Sequence, residues 1–339
     1  MNICITGGGT GGHLMIAEAL LEAALKAGHK CVFVGSTKGQ DKKYFENSTL
    51  FSKVYFLETT GVVNQKCLGK IKALLKVLAA FFKARTILKE DEIDLVYSVG
   101  GFSAAPASIA SLSRGIPLFI HEQNAVEGRL NAILKPYAKS FISAYSDSSL
   151  VKGYPVKEIF SQTKRERREL DSIIFLGGSH GAKAINDLAL SLAKELSKRH
   201  VKIVHQAGES DFARVEKEYK LLGVEVELYA FTTQLPALIA KADLAVSRAG
   251  ASTLWELTTN GCPAFYIPYP YAAGDHQFFN AQFIVENEMG WCVRENENLK
   301  DELLKVLDSP RLQERSQKLL QHSNSDVAMQ MITNLEDLV

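Results

Sequence analysis

Short apolar runs alternate with longer stretches in which apolar residues return every three or four positions, and the alternation holds along the whole chain. The runs at 2–6, 31–34, 95–99, 118–121 and 141–144 predict buried strands, each trailed by a loop and a helical pattern. A polar stretch follows, densest in charge at 163–169 (TKRERRE), and the pattern then restarts with runs at 172–176, 201–205, 224–228, 244–247 and 264–267. Strands and helices in alternation predict a doubly wound α/β chain. Because the restart repeats the opening order of strand, glycine turn and helix, the chain reads as two Rossmann-like halves, 1–155 and 156–326. Two such domains, their parallel sheets facing across a cleft, would bring both glycine turns to one gap.

The turn after the first strand reads GGGTGGH at 7–13. A strand, a glycine turn and a helix in that order aim backbone N–H groups and the positive end of the helix dipole at one spot, which suits an anion such as phosphate. Gly7, Gly9 and Gly12 satisfy the dinucleotide pattern G-x-G-x-x-G, but the second strand runs into Gly35, Ser36 and Thr37 where that pattern wants an acid for a ribose. Gly7 and Gly12 also have the P-loop spacing, with His13 and Leu14 where Lys and Ser or Thr belong. Neither motif is complete, and a tight turn without a ligand is the plain alternative. His13, at the helix start, is a candidate general base, since a dipole's positive end favours the neutral imidazole.

Length and charge narrow the possible classes. At 339 residues and 46% hydrophobic content there is material for two cores, and a net charge of +1 offers no global attraction for nucleic acid, so none is expected as a partner. Cys4, Cys31, Cys67, Cys262 and Cys292 form no C-x-x-C pair, which fits a reducing compartment and no zinc site. The chain enters a strand at once, so no signal peptide is expected, and no uncharged apolar stretch reaches the length of about 18 residues that a membrane span requires. Without a D-x-D pair no metal is expected, and helix starts would have to neutralise a diphosphate.

Three further stretches carry candidate chemistry. In SRAGASTLWE, 247–256, a strand ends, Gly250 allows a turn and a helix begins near Ser252, with Glu256 placed to accept ribose hydroxyls; Thr253 and Glu256 also have the spacing of a capping box. In HEQN, 121–124, four polar residues stand at the carboxyl edge of a strand, where a site is more common than a core. From Lys66 to Lys89 there are seven Lys or Arg and no acid. In that stretch Ile71, Leu74, Leu75, Leu78 and Phe82 form a stripe expected to pack on the sheet, while Leu68, Val77 and Phe81 fall outside it. The surplus suggests contact with an anionic membrane surface, and an ordinary cover helix is the alternative.

Taken in order, GGTGGH (8–13), GGFSAAP (100–106), HEQN (121–124), GGSHGA (177–182), HQAG (205–208), SRAGASTLWE (247–256) and DHQFFNA (275–281) resemble the MurG family over nearly the whole chain. The resemblance implies a GT-B fold and an inverting N-acetylglucosaminyltransferase of peptidoglycan synthesis, needing no cofactor, peripheral on the cytoplasmic face of the bacterial inner membrane. It implies UDP-N-acetylglucosamine held mainly by the C-terminal domain, the lipid I acceptor held by the N-terminal domain, and a last helix, 327–339, that crosses back to the N-terminal domain. Carried over, Thr10, Gly11, Gly12, Asn124, Lys157, Ser179, Thr232, Ala251, Ser252, Thr253, Leu254, Trp255, Glu256 and Gln277 bind the nucleotide sugar, Glu256 on its ribose. His13 or Glu122 takes the acceptor's proton. Tyr154, Lys157, His180 and His276 depart from the family pattern, and FTTQLP at 231–236 lacks its acidic pair.

Overall fold

The computed structural model describes residues 1–59, 67–178, 181–296, 298–324 and 326–336. The chain divides into two compact units, residues 1–157 with 326–339, and residues 158–325. In the first unit β1 (Asn2–Thr6), β2 (Lys30–Ser36), β3 (Lys53–Leu57), β4 (Leu95–Ser98), β5 (Leu118–Glu122) and β6 (Ser140–Ser143) make one parallel sheet of order β3-β2-β1-β4-β5-β6. In the second unit β7 (Ser172–Leu176), β8 (Lys202–Gln206), β9 (Glu227–Tyr229), β10 (Leu244–Ser247), β11 (Ala264–Tyr266) and β12 (Trp291–Cys292) pair in parallel as β12-β11-β10-β7-β8-β9. Read from the other edge, that is the same order. Each sheet therefore reverses direction once, between β1 and β4 and between β7 and β10, and the loops that leave these strands diverge to open a binding position.

The central strands follow the apolar pattern, whereas two edge strands escape it. β3 is half buried with an exposed Lys53, and β12 is two residues long, so neither presents an apolar run of useful length. The expected strand at 224–228 begins three residues late. Gly223 closes the helix Phe212–Leu222 in the left-handed conformation at φ 64°, and Val224 donates its N–H back to Tyr219 O at 3.3 Å.

Two helices of the first unit shape its surface. Gly11–Lys26 is buried on most of its circumference, because Val327–Glu336 packs along it with Val327, Met331 and Ile332 buried. In Cys67–Glu90 the expectation from the apolar stripe is reversed. Ala73, Ala80, Ala84, Ile87 and Leu88 face inward, whereas Leu75 and Phe82 are 61% and 60% exposed and Leu78 is 51% exposed. Small alanines bring this helix close to Ala105–Ser113, where Ala107 and Ala110 complete the core, and the larger side chains are left outside. Lys66 lies outside the described residues, as do the side chains of Leu68, Ile71 and Leu74.

The charged stretch at 163–169 is also not the solvated connection its composition suggests. Arg167 is fully buried and its guanidinium donates to Ala242 O at 3.2 Å, Arg165 O at 2.6 Å, Ile239 O at 3.1 Å and both the carbonyl and side-chain oxygens of Asn260. Arg165 donates to Ala240 O, Lys241 O and the Asp243 carboxylate, which in turn accepts the Ser172 N–H at 2.9 Å. The two arginines thus satisfy the carbonyls that end the helices Leu235–Lys241 and Ala251–Asn260, and tie both to the start of β7. Arg167→Met, which leaves the buried Asn260 side-chain oxygen without its donor and removes one donor from each of the carbonyls, is expected to destabilise the second unit by about 3 kcal/mol in urea unfolding, whereas Arg168→Met, at an exposed neighbour, should change it by less than about 0.5 kcal/mol.

Candidate active site

In the first unit the reversal between β1 and β4 is occupied by two glycine turns in backbone contact. Gly8 donates its N–H to Gly100 O at 3.0 Å, and a Cβ on Gly101, which holds φ 80°, would stand 2.0 Å from Gly8 O. The N–H groups of Gly9 and Ser36 both donate to the buried carboxylate of Asp41, the second at 2.8 Å. Two N–H groups of the glycine turn are therefore used within the fold. Gly8 and Gly9 are already engaged, and the N–H groups directed outward are those of Gly11, Gly12 and His13, which begin the helix and have no carbonyl partner within it. Asp41 itself carries no motif, since its role arises from a contact 32 residues away in the chain.

His13 stands on that first helical turn. Thr10 Oγ1 is 2.9 Å from its Nδ1, and the Gln123 amide nitrogen is 3.0 Å from its Nε2. The end of β5 supplies the neighbouring groups. Glu122 is buried, and its carboxylate accepts the N–H of Asn124 at 2.9 Å, the N–H of Gly128 at 2.8 Å and the amide of Asn131 at 2.9 Å. It shapes the loop that follows β5. His121 points into the unit, edge-on to Tyr154 at 5.3 Å between ring centres, and neither of its ring nitrogens has a hydrogen-bond partner. Burial first, and the charge of His13 second, push its pKa down from 6.5 to about 3. Lys157 pairs with Glu18 at 2.8 Å, and Glu18 also accepts the Tyr44 hydroxyl.

In the second unit Ser179 and His180, in the turn after β7, lie outside the described residues. At the other side of the reversal the helix Ala251–Asn260 starts from Gly250, whose carbonyl accepts the Leu254 N–H at 3.0 Å. Thr253 is therefore inside the helix, and the capping-box reading of Thr253 and Glu256 is excluded. The buried Glu256 accepts the Ser252 hydroxyl at 3.1 Å on the same helical face. Leu254 and Trp255 turn into the core, Trp255 against Phe283 at 5.7 Å. The helix His276–Glu286 braces this start, with Asn280 donating to Ala249 O at 3.2 Å and Gln277 accepting the Tyr269 N–H at 2.9 Å. Thr232 accepts the Gln234 N–H at 2.9 Å ahead of the helix Leu235–Lys241.

The HQAG motif proves structural at its histidine. His205 lies between Asn186 Oδ1 at 2.9 Å and the Tyr219 hydroxyl at 3.0 Å. Because the Asn186 amide nitrogen donates to Ala207 O and Asp211, its oxygen faces Nε2 of His205, which carries the ring proton, and Tyr219 donates to Nδ1. Burial pushes this histidine also down to about 3. Arg214, followed by the Asn186 amide, holds Asp211 down at about 2.

Two doubly wound units of one strand order, each with a helix start at its sheet reversal, have the architecture of the GT-B class, and the family matches make the chain a glycosyltransferase. Residues 3–143 match the glycosyltransferase family 28 N-terminal domain and residues 172–331 the glycosyltransferase family 28 C-terminal domain. The chain is 63% identical over 335 residues to the UDP-N-acetylglucosamine--N-acetylmuramyl-(pentapeptide) pyrophosphoryl-undecaprenol N-acetylglucosamine transferase of Sulfurimonas denitrificans, covering 99% of this chain and 98% of the relative. A protein of the same name from Wolinella succinogenes is 49% identical over 331 residues, covering 98% of each. The crystal structure of MurG from Acinetobacter baumannii superposes with a TM-score of 0.80 at 25% identity over 99% of both chains. The chain belongs to glycosyltransferase family 28 and, within it, to the MurG family.

The two buried histidines set an acid limit on stability. Each is held at about 3 when folded against an ordinary 6.5, so the unfolded chain binds more protons between those values. Stability is therefore complete above about pH 6.5 and falls as the pH drops, by up to about 1.4 kcal/mol per pH unit for each histidine. In His121→Leu, urea unfolding at pH 7 should be unchanged within about 1 kcal/mol, because no ring nitrogen loses a partner, and the acid slope of the first unit should flatten.

Proposed function

We propose that the protein moves N-acetylglucosamine from UDP-N-acetylglucosamine to the C4 hydroxyl of the muramyl sugar in undecaprenyl-pyrophosphoryl-N-acetylmuramyl-pentapeptide, lipid I to lipid II, with inversion at the anomeric carbon. The observation that carries this reading is the 63% identity, over essentially the full length of both chains, to a relative named for that transfer. His13 takes the hydroxyl proton, its Nδ1 set against Thr10. Glu122, with three N–H donors on its carboxylate, serves the loop and not the proton transfer.

The donor binds chiefly to the second unit. Ala251, Ser252 and Thr253 present the first N–H groups of their helix to the diphosphate, and Glu256 accepts the ribose hydroxyls, its carboxylate already turned to that face by Ser252. Leu254 and Trp255 act from behind, by fixing that helix start in the core. Gln277, Ser179 and Thr232 complete the second unit's donor contacts, and Lys157, Asn124, Thr10, Gly11 and Gly12 are the first unit's residues for the nucleotide sugar. Negative charge grows on the departing UDP, and preorganised N–H groups at helix starts stabilise it, each worth about 3 kcal/mol.

The acceptor's lipid requires a membrane, and among the described residues no helix is long and apolar enough to cross one. Leu75, Leu78 and Phe82 stand exposed on Cys67–Glu90 with Lys83 beside them, and we assign this face to the anionic inner surface of the plasma membrane, where the protein is peripheral. UDP release from UDP-N-acetylglucosamine should require a lipid I analogue, and release with donor alone, or none with both, removes the reading. In that assay His13→Ala is expected to lose at least about a hundredfold in kcat with UDP affinity retained, and Glu256→Ala to lose about tenfold or more in donor affinity. Retention on anionic vesicles at low salt should fall about tenfold in Leu78→Glu/Phe82→Glu, and equal retention rejects the assigned face.

A further inference from the structure

The Gln123 side chain has no task in the reaction as described above. It follows β5 directly, and its amide nitrogen is 3.0 Å from His13 Nε2 and 3.4 Å from Nδ1. The lone pairs of an imidazole diverge, so a donor seated on one nitrogen stands far from the other. Near-equal distances to both nitrogens place the amide beside the ring, off either lone pair, with Thr10 left at Nδ1. The amide oxygen of Gln123 is buried and has no hydrogen-bond partner among the described residues, so the group is poorly suited to a purely structural task. Its one favourable polar contact of this kind is with His13.

We propose that Gln123 is a positioning residue for His13: its amide holds the ring against Thr10 and keeps the proton-accepting form ready for the acceptor hydroxyl. This rests on His13 being the base. The amide N–H presents the positive end of its dipole to the ring, so protonation of the imidazole is opposed where the contact is made. Among the described residues, several further groups stand about the ring. Thr10 comes from its own helix, the neutral His121 from β5, and the turn after β4 brings Gly100, where a Cβ would meet His13 Nε2 at 3.3 Å and the Asn131 amide at 3.2 Å. Asn131, from the helix Arg129–Leu134, donates to the Glu122 carboxylate, as do two backbone N–H groups, and the Asp41 carboxylate likewise accepts two backbone N–H groups. A carboxylate in place of the Gln123 amide therefore reverses the sign of the nearest contact.

The test uses the full chain with Gln123→Glu and Gln123→Leu, the His13 ring followed by NMR titration and kcat/KM measured across pH with UDP-N-acetylglucosamine and a lipid I analogue. In Gln123→Glu both the His13 titration and the acid limb of kcat/KM should move up by about one pH unit, with the rate recovered at higher pH. In Gln123→Leu thermal unfolding and both KM values should hold while kcat falls about tenfold at every pH, because the ring is no longer held. An unmoved titration in Gln123→Glu overturns the proposal, as does an unchanged kcat in Gln123→Leu. A titration that moves while the acid limb stays in place upholds the contact and removes His13 as the base, so the two failures are told apart.

Discussion

The first unit is organised by a contact that only bare backbone permits, the approach of Gly8 to Gly100 and Gly101 where the sheet reverses. A parallel sheet of this order sends β1 and β4 to helices on opposite faces, and their loops must part at the carboxyl edge. Here they part only after touching. The contact fixes where the helix Gly11–Lys26 begins, Asp41 secures the turn from the β2 side, and Gly100 lies beside both His13 and Asn131. Through Asn131 the same position reaches Glu122 and the loop that carries Gln123 and Asn124. The placement of His13 is thus a consequence of a backbone packing that any side chain at Gly101 would prevent.

The second unit solves the same topological problem with side chains. Its reversal is held by Asn280 on Ala249 O, by the Asn186, His205 and Tyr219 chain below the turn after β8, and by Arg165 and Arg167 at the far ends of two helices. The polar groups of that chain each meet a partner of opposite hydrogen-bonding sense, which is what keeps buried polar groups from costing stability. His121 in the first unit has no such partners and is stabilised only as a neutral ring. The contrast separates two histidines that look equivalent as motif members: one closes a network, the other fills a space.

Much of this architecture was legible in the chain because parallel central strands, buried on both faces, must be apolar runs, and the glycine turns after them are short-range signals. What escaped was set at long range. β3 and β12 are edge strands whose pairing comes from a neighbour and not from their own pattern. The arginines at 165 and 167 look like solvated charge until the carbonyl ends of distant helices are placed around them. The stripe on Cys67–Glu90 was read with its sides exchanged, since a rule that puts large apolar residues inward fails where two helices approach closely enough to need alanine. At the site, helix starts after glycine turns marked His13 and Glu256, the polar edge of a strand marked Gln123 without giving it a task, and Thr10 came from the family resemblance; Asp41 escaped, because a lone acid in a loop acquires meaning only from what folds against it.

That inverted helix bears on how the two units divide the chemistry. A face that keeps Leu75, Leu78 and Phe82 in water is disfavoured by the hydrophobic effect unless something apolar covers it, roughly 25 cal/mol for each Å2 so covered. The inward alanines show that the exposed residues are not there for want of room on the other side: the core beneath is complete without them. The first unit therefore joins an exposed apolar face, with Lys83 beside it, to a helix start that carries His13. The second unit shows a contrast at its own reversal, where a buried carboxylate, Glu256, is held by Ser252 on one face of the first helical turns.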